Sequence, residues 1–473
     1  MKREKELFKN TLVLTIGNTL TKLITFFLLP LYTYILSTEE FGIVDLLNTL
    51  VALLLPIITF QIEQAVFREL IDNRTNDDKK RKIISTSFFI ICIQCAGYII
   101  LCLFLQLFIH NNYMIFMLIN VLLYVFASLF QQIARGYGNN TVYAISSFVS
   151  ALVTILFNIV LLVVFHLGAY GMLIGTALGQ LACIIYIFFK LKLHSYINYK
   201  NYEKKLLFKL WKYSIPLIPN SISWWVFNAS DRVIISIFLG LGMNGILAAA
   251  HKFSSVFITF YNVFHLSWLE SISLHIKDSD INNFYNKMVN TVMSLFLSID
   301  LMIVASMPFV YSIMIDQKYY DGYYQVPIIM LGSFINVLVA LETAIYVANK
   351  NTKSIAYTSI VSAFINIIIH LCLVNYIGLY AATISTLIAY TILFIYRYID
   401  IKKNYFKIEF DKKIVYSALL MFTVIMICYY SNIMILKIMS LLLVCLYSCI
   451  INRKSVRIVI GFMKKKLKRK EVN

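Results

Sequence analysis

Apolar blocks of membrane-spanning length constrain this chain more than any other feature. From Thr11 to Ile451, blocks of roughly 20 apolar residues follow one another with short polar segments between them. A helix of about that length crosses a bilayer core of about 30 Å. Only 14% of the 473 residues are charged, whereas water-soluble domains carry about a quarter. The sequence therefore predicts an all-α integral membrane protein with about fourteen transmembrane helices.

The basic residues are distributed unevenly between the two sides of these blocks. Of 42 Lys and Arg, 37 lie in the two terminal tails and in alternate inter-span segments, and the opposite segments contain only Lys318. This is the positive-inside pattern, so we predict that the N- and C-termini are cytoplasmic. The net charge of +19 then reflects topology and contact with anionic lipids, and we expect no nucleic-acid partner.

Hydropathy minima divide the chain into predicted spans and domains. We predict a six-helix lobe at 1–192, a cytoplasmic linker at 193–211, a second six-helix lobe at 212–399, two accessory helices at 400–452 and a basic tail at 453–473. The second of the fourteen spans is predicted at 41–66, and other spans include 326–348 and 412–430. The segments between spans are too short for a separate soluble domain.

An internal repeat supports the two-lobe interpretation. Residues 134–151 and 346–363 match at six of eighteen positions, including Asn139 with Asn351 and Ser150 with Ser362. The same order of features continues into the next span on each side. Parallel repeats of this kind are related by an axis along the membrane normal, so we expect a pseudo-two-fold relation between the lobes and a substrate path between them.

Polar residues on the first predicted span indicate a wet surface. Asn18 and Lys22 lie four residues apart, on one helix face. A lysine several turns inside a span is costly in lipid and is expected to face a bundle interior or cavity. The alternative is that the Lys22 side chain snorkels outward to the interface.

Further candidate binding residues lie on the second, seventh and eighth predicted spans. Asn228 and Asp231 share a face of the seventh span, and Arg232 follows them; these residues either form a structural cap or contact a substrate. His251 and Lys252 lie on the eighth span, where a cationic cavity and ordinary interhelical hydrogen bonds are both compatible with them. Arg68, after the second span, either receives an anionic head group or anchors the interface.

Enzymatic and metal-binding motifs are absent from the sequence. It contains no P-loop, HExxH or GxSxG pattern. Cys92 and Cys95 have no second ligand pair, so no metal site or catalytic residue is expected.

Two long segments carry a family resemblance. GNTLTKLITFFLLPLYTYILSTEEFGIVDLL (17–47) resembles the opening signature of bacterial polysaccharide-export flippases, and YSIPLIPNSISWWVFNASDRVIISIFLG (213–240) with NGILAAAHK (244–252) resembles their mid-chain signature. This family transports lipid-linked oligosaccharide units and belongs to the same superfamily as the multidrug and toxic-compound extruders. The resemblance covers essentially the whole chain.

The resemblance implies a function in O-antigen, capsule or exopolysaccharide synthesis. It implies translocation of a polyprenyl-diphosphate oligosaccharide from the cytoplasmic to the outer leaflet of the bacterial plasma membrane, by alternating access and without enzymatic activity. Lys22, Arg232 and Lys252 match positions that would receive the diphosphate. Other polysaccharide assembly proteins are the expected partners besides substrate and bilayer.

Two other functions remain open at this point. One is a cation-coupled multidrug extruder of the same superfamily, and the other is a membrane-bound glycan polymerase or transferase. No cofactor is expected for the flippase, which would couple transport to a H⁺ or Na⁺ gradient or to the membrane potential.

Overall fold

The computed structural model describes residues 22–108, 111–276 and 278–453, except for the side chains at 220, 223, 224, 227, 228 and 266. Every regular element among the described residues is helical. Eleven of the helical segments are long and apolar enough to cross a membrane. The predicted all-α, multi-pass membrane fold is confirmed.

The contacts within the chain divide it into two compact units, and the division falls between Ala248 and Ala249. The helices of the first unit, in chain order, are α1 (Lys22–Ile35), α2 (Thr38–Thr59), α3 (Ile62–Asp72), α4 (Asp77–Gln106), α5 (Tyr113–Gly136), α6 (Asn140–Ile159, continued by a π-helical turn at Val160–Val164), α7 (Gly168–Lys190), α8 (Lys204–Ser214), α9 (Ile218–Phe238) and the start of α10 (Leu241–His275).

The second unit continues α10 and contains the remaining helices. They are α11 (Ile281–Met314), a 3₁₀ segment (Gln317–Gln325) that leads into α12 (Val326–Ala348), α13 (Thr352–Ile377), α14 (Tyr380–Asn404), α15 (Lys412–Tyr430) and α16 (Met434–Ile451). Helix α1 is shorter than the eleven candidate spans; α9 and α10, which lie where the seventh and eighth spans were predicted, are not among those eleven.

The predicted second span, 41–66, is wrong as a single helix. Helix α2 ends at Thr59, and Phe60 and Gln61 both have positive φ angles, 50° and 58°. Two successive left-handed residues cannot continue a right-handed helix. The Thr59 hydroxyl stabilises the break by accepting a hydrogen bond from Gln61 N at 3.1 Å, and α3 then begins at Ile62.

Side-chain caps explain where several helices begin. Ser37 and Glu40 form a capping box at the start of α2, in which each side chain accepts from the other residue's backbone N–H. The repeat pair Asn139 and Asn351 both act as N-caps, each accepting from a backbone N–H three residues ahead at 3.3 Å. The residue before each cap has a positive φ angle. The repeated sequence therefore forms the same helix-start turn in both places.

A buried polar network holds α12, α13 and α14 together in the second unit. Arg397 on α14 is 2% exposed. Its guanidinium donates to the hydroxyls of Thr343 and Thr358, at distances of 2.7 to 3.1 Å, and it interacts electrostatically with buried Glu342. A buried cation is tolerated when it is both paired and hydrogen-bonded, so this network fixes how the three helices pack.

Candidate functional site: a polar cavity in the first unit

The first unit contains a cavity of about 470 Å³ lined by α1, α2, α5, α6 and α7. Six lining residues carry hydroxyl groups on aliphatic side chains: Thr25, Ser128, Ser147, Ser150, Thr154 and Thr176. Three carry amides: Asn48, Gln131 and Gln180. The others are Leu55, Tyr124, Ala127 and Ala151. Small-molecule sites typically have volumes of about 300–1,000 Å³, so this cavity has room for a ligand.

Two glutamines connect the cavity helices. Gln131 Nε2 on α5 donates to Ser147 Oγ, and Gln180 Nε2 on α7 donates to Ser150 Oγ, both at 3.4 Å. Both serines lie on α6, one turn apart. A glutamine side chain has two N–H donors and one carbonyl oxygen. Gln131 Nε2 also donates to Cys183 Sγ at 3.5 Å. All of these bonds use amide N–H groups, so they leave the amide carbonyl oxygens as acceptors for a ligand or for water.

Glycines on α7 explain why α6 and α7 lie close enough to form this wall. A Cβ at Gly175 would overlap the Asn158 side chain. A Cβ at Gly179 would overlap the Thr154 hydroxyl and lie 2.6 Å from the Ser150 carbonyl oxygen. Small residues allow membrane helices to approach closely. The glycines therefore position Ser150 and Thr154 at the cavity.

The electrostatics of the cavity are distinctive. None of the thirteen described residues that line it is Asp, Glu, Lys, Arg or His. Helix α6 with its π-helical turn contains no charged residue, and the only one in α7 is its last residue, Lys190. The cavity is thus a neutral hydrogen-bonding surface, suited to a ligand rich in hydroxyl and amide groups.

An ion pair joins α2 to α9 in the same unit. Arg232 Nε lies 2.7 Å from Asp45 Oδ2, and the two side chains are 25% and 15% exposed. Trp225 Nε1 donates to the Thr49 carbonyl oxygen at 2.7 Å one turn along α2. These contacts hold α9 against α2 at Asp45 and Thr49, which lie on either side of Asn48 in the sequence.

The backbone of α2 also contacts the start of α10. A Cβ at Gly42 would overlap the Leu241 carbonyl oxygen, and a Cβ at Gly245 would overlap the Thr38 carbonyl oxygen. Asn244 Nδ2 donates to the Gly42 carbonyl oxygen at 3.0 Å. Only glycine permits such an approach, as at small-residue interfaces in membranes. Together with the ion pair, these contacts form what we call the α2 closure.

The site residues predicted from sequence do not form one cluster in the first unit. Lys22 is exposed and its carbonyl oxygen accepts from Thr25 Oγ1 at 2.9 Å, one turn from the cavity. Arg232 contacts Asp45 within the α2 closure. Arg68 on α3 pairs with Asp72 at 3.6 Å, with both side chains more than half exposed.

The remaining predicted residues lie elsewhere. Asp231 is half-buried on α9, and His251 and Lys252 are half-buried in the part of α10 that belongs to the second unit. Asn18, and the side chain of Asn228, lie outside the described residues. For all five of these residues, contact with a substrate stays a prediction. Among the residues that the structure describes, no group of His, Cys, Asp and Glu is arranged to hold a metal ion.

Sequence reasoning missed the amides of the cavity. Ser150 and Thr154 belong to a polar stripe on α6 of a kind that is also typical of helix packing in membranes, and both residues line the cavity. Gln131 and Gln180 lie far apart in sequence and give no spacing signal. A usable signal was the uncharged character of α6 combined with its polar stripe.

Comparison with solved structures identifies the fold. The lipid II flippase MurJ in an inward closed conformation matches with a TM-score of 0.70 at 16% identity, over 95% of this chain and 100% of that chain. An inward-facing multidrug resistance MATE family transporter of the MOP superfamily matches with a TM-score of 0.67 at 11% identity, over 81% of this chain and 98% of that one. At these identities the likeness shows a shared fold.

The family follows from the sequence itself. No curated protein matches the chain. The family model described as polysaccharide biosynthesis protein matches residues 7–268, which is more than half of the chain and includes every helix that lines the cavity. The chain belongs to the polysaccharide biosynthesis protein family and has the fold of MOP-superfamily transporters.

Proposed function

We propose that this protein translocates polyprenyl-diphosphate-linked oligosaccharide units from the cytoplasmic to the outer leaflet of a bacterial plasma membrane. The neutral, hydroxyl- and amide-lined cavity carries this proposal. It lies within the part of the chain that belongs to a polysaccharide biosynthesis family. A solved protein with the same fold is named as a flippase of lipid II.

The chemistry of the cavity fits the sugar portion of such a substrate. Sugar hydroxyls both donate and accept hydrogen bonds, and so do the serine, threonine and glutamine side chains that line it. Burying a polar group without a partner costs roughly 2–7 kcal/mol. A lining that offers both donors and acceptors removes this penalty for a sugar moving through the membrane.

The lipid tail and the diphosphate require different surroundings. In alternating access, the polyprenyl tail stays in the bilayer while the head group enters the protein. Lys22, exposed and one turn from Thr25, is our candidate contact for the diphosphate. The contact between Arg232 and Asp45 supports a structural role for Arg232 within the α2 closure.

Coupling to the membrane potential is part of the proposal. Moving one elementary charge across 100 mV is worth about 2.3 kcal/mol. With the outside positive, the potential favours outward movement of an anionic diphosphate. A H⁺ or Na⁺ gradient is the alternative source of energy.

The multidrug alternative is less well supported by the cavity. A cationic drug desolvated in the membrane needs an opposing carboxylate or aromatic cage. Among the lining residues that the structure describes, there is no carboxylate and one aromatic side chain, that of Tyr124. For the polymerase alternative, neither of the two solved structures described above gives support, since one is named as a lipid II flippase and the other as a multidrug resistance transporter.

Reconstitution in proteoliposomes tests the proposal. The purified chain is incorporated with a fluorescent polyprenyl-diphosphate trisaccharide, and outer-leaflet exposure is followed by quenching under an imposed potential. We expect transport by the wild-type chain. We expect a 5- to 30-fold loss in Gln131→Leu, because one or two hydrogen bonds of about 1 kcal/mol each are removed.

Gln132→Leu is the matched control. Gln132 neighbours Gln131 on α5 but is absent from the cavity lining, and its Oε1 accepts from Arg135 at 3.1 Å. Transport by this variant at the wild-type rate is expected. If the wild-type chain moves no lipid-linked probe under any gradient but accumulates a fluorescent organic cation, the protein is a drug extruder and the proposal fails.

A further inference from the structure

We infer that the cavity of the first unit selects neutral sugar units and discriminates against acidic ones such as uronic acids. The inference rests on the proposed function and names the substrate class at the same site. Its basis is a cavity of about 470 Å³ whose described lining residues have hydrogen-bonding groups but no charged side chain.

Asp45 and Arg135, two of the charged residues on the lining helices, contact groups outside the cavity lining. Asp45, three residues before Asn48 on α2, pairs with Arg232. Arg135, four residues after Gln131 on α5, has its guanidinium carbon 4.6 Å from the Phe67 ring centroid. The same carbon also lies 5.6 Å from the Tyr143 ring centroid. These contacts leave the cavity without a cation contributed by α2 or α5.

The two helices that form the closely packed wall contribute no cation either. No charged residue occurs from Asn140 to Val164, and in α7 the only one is Lys190, ten residues beyond Gln180. Lys22 is three residues from Thr25 but is itself exposed and absent from the lining. Within the part of the lining that the structure describes, a sugar would therefore meet dipoles and apolar groups but no charge.

This environment separates neutral from acidic sugars. A carboxylate that leaves water needs a cation or several charge-assisted hydrogen bonds, since an unpaired buried charge is heavily penalised. A hydroxyl at the same position is satisfied by Gln131, Gln180 or a serine hydroxyl. Two substrates that carry the same diphosphate and differ only at one sugar group would therefore differ in transport through the effect of that group.

The experiment uses two probes that differ in one group. Both are fluorescent polyprenyl-diphosphate trisaccharides; the terminal residue is glucose in one and glucuronic acid in the other. Transport of each probe by the full-length chain is measured in the same proteoliposomes, once with an imposed membrane potential and once without. We expect at least a tenfold preference for the glucose probe at both settings.

A charge introduced into the cavity is expected to change this preference. Gln131→Lys places an ammonium at the lining, so it should raise transport of the glucuronic acid probe relative to the glucose probe at least fivefold. Gln132→Lys makes the same substitution one residue away, outside the lining, and should leave the ratio unchanged.

The outcomes distinguish this inference from the proposed function. Equal transport of both probes by the wild-type chain overturns the neutral-sugar inference and leaves the flippase in place. An equal change of ratio in Gln131→Lys and Gln132→Lys also overturns it, because the effect would then be one of general surface charge. Transport of neither probe overturns the proposed function itself.

Discussion

The ion pair between Asp45 and Arg232 provides a quantitative test of the α2 closure. The proposed perturbation is a double-mutant cycle with Asp45→Asn, Arg232→Gln and the combination of both. Asp45→Asn removes the charge at nearly constant size, and Arg232→Gln removes the charge and leaves a shorter polar side chain. If the pair joins α2 to α9 as the structure shows, each single change should destabilise the protein, and the double change should cost less than the sum.

The magnitude follows from the geometry. Two unit charges 2.7 Å apart attract by about 6 kcal/mol at an effective dielectric constant of about 20. Loss of hydration offsets a large part of this attraction, because the side chains are only 25% and 15% exposed. Coupling energies for contacting residues lie in the range of about 0.5–3 kcal/mol, and we expect about 2 kcal/mol here.

Thermal unfolding of the four purified proteins in one detergent measures this coupling. One kcal/mol corresponds to roughly 2–4 °C in Tm for a body of 150–250 residues. The expected non-additivity is therefore about 4–8 °C. Heating rate and detergent must be the same for all four proteins, because unfolding of large proteins is often irreversible.

The exposed pair of Arg68 and Asp72 is the matched control. Its atoms are 3.6 Å apart and its side chains are 56% and 53% exposed. Exposed helix pairs spaced by four residues, like this one, contribute about 0.3–0.5 kcal/mol, so the cycle of Arg68→Gln and Asp72→Asn should give a coupling below about 2 °C. A coupling at Asp45 and Arg232 no larger than at Arg68 and Asp72 would refute the closure.

Two further predictions concern packing, one in each unit. In the first unit, Gly179→Ala should lower Tm by an amount corresponding to about 1–3 kcal/mol, because the new Cβ would overlap the Thr154 hydroxyl. Gly97→Ala is the control: a Cβ there has nothing within 4 Å, so Tm should stay unchanged or rise slightly, and equal effects in both variants would contradict this account. In the second unit, Arg397→Gln should lower the free energy of unfolding by about 3–5 kcal/mol, because it leaves Glu342 buried without its cation. Adding Glu342→Gln to this variant should recover at least half of the lost Tm. A double variant less stable than Arg397→Gln would show that the two residues do not act as a pair.

The sequence alone determined that the chain lies in a bilayer, where several of its helices begin and end, and to which family it belongs. Apolar block length identifies membrane helices because the bilayer has a fixed thickness and offers no hydrogen bonds to the backbone. The predicted spans 326–348 and 412–430 accordingly coincide with α12 and α15. The signatures around Lys22 and Asp231 led to the family that the family model identifies.

Local backbone detail was only partly readable. The caps at Asn139 and Asn351 could be expected from the repeat, since asparagine before a helix is a strong start signal. The break at Phe60 and Gln61 could not, because neither residue is glycine or proline. Its left-handed backbone is maintained by contacts such as that of Gln61 Nε2 with Ser221 Oγ, at 2.8 Å across 160 residues of sequence.

The tertiary structure alone decided which polar residues act together. Periodicity reports which face of a helix a residue occupies, but it does not report which helix lies opposite. Asp45 therefore acquired a partner 187 residues away, and Gln131 and Gln180 met the α6 serines from two different helices. In lipid the apolar surfaces are interchangeable, so helix neighbours are chosen by close glycine contacts and by a few polar bonds. Those contacts are specified by three-dimensional packing, and they create the neutral cavity on which the proposed function depends.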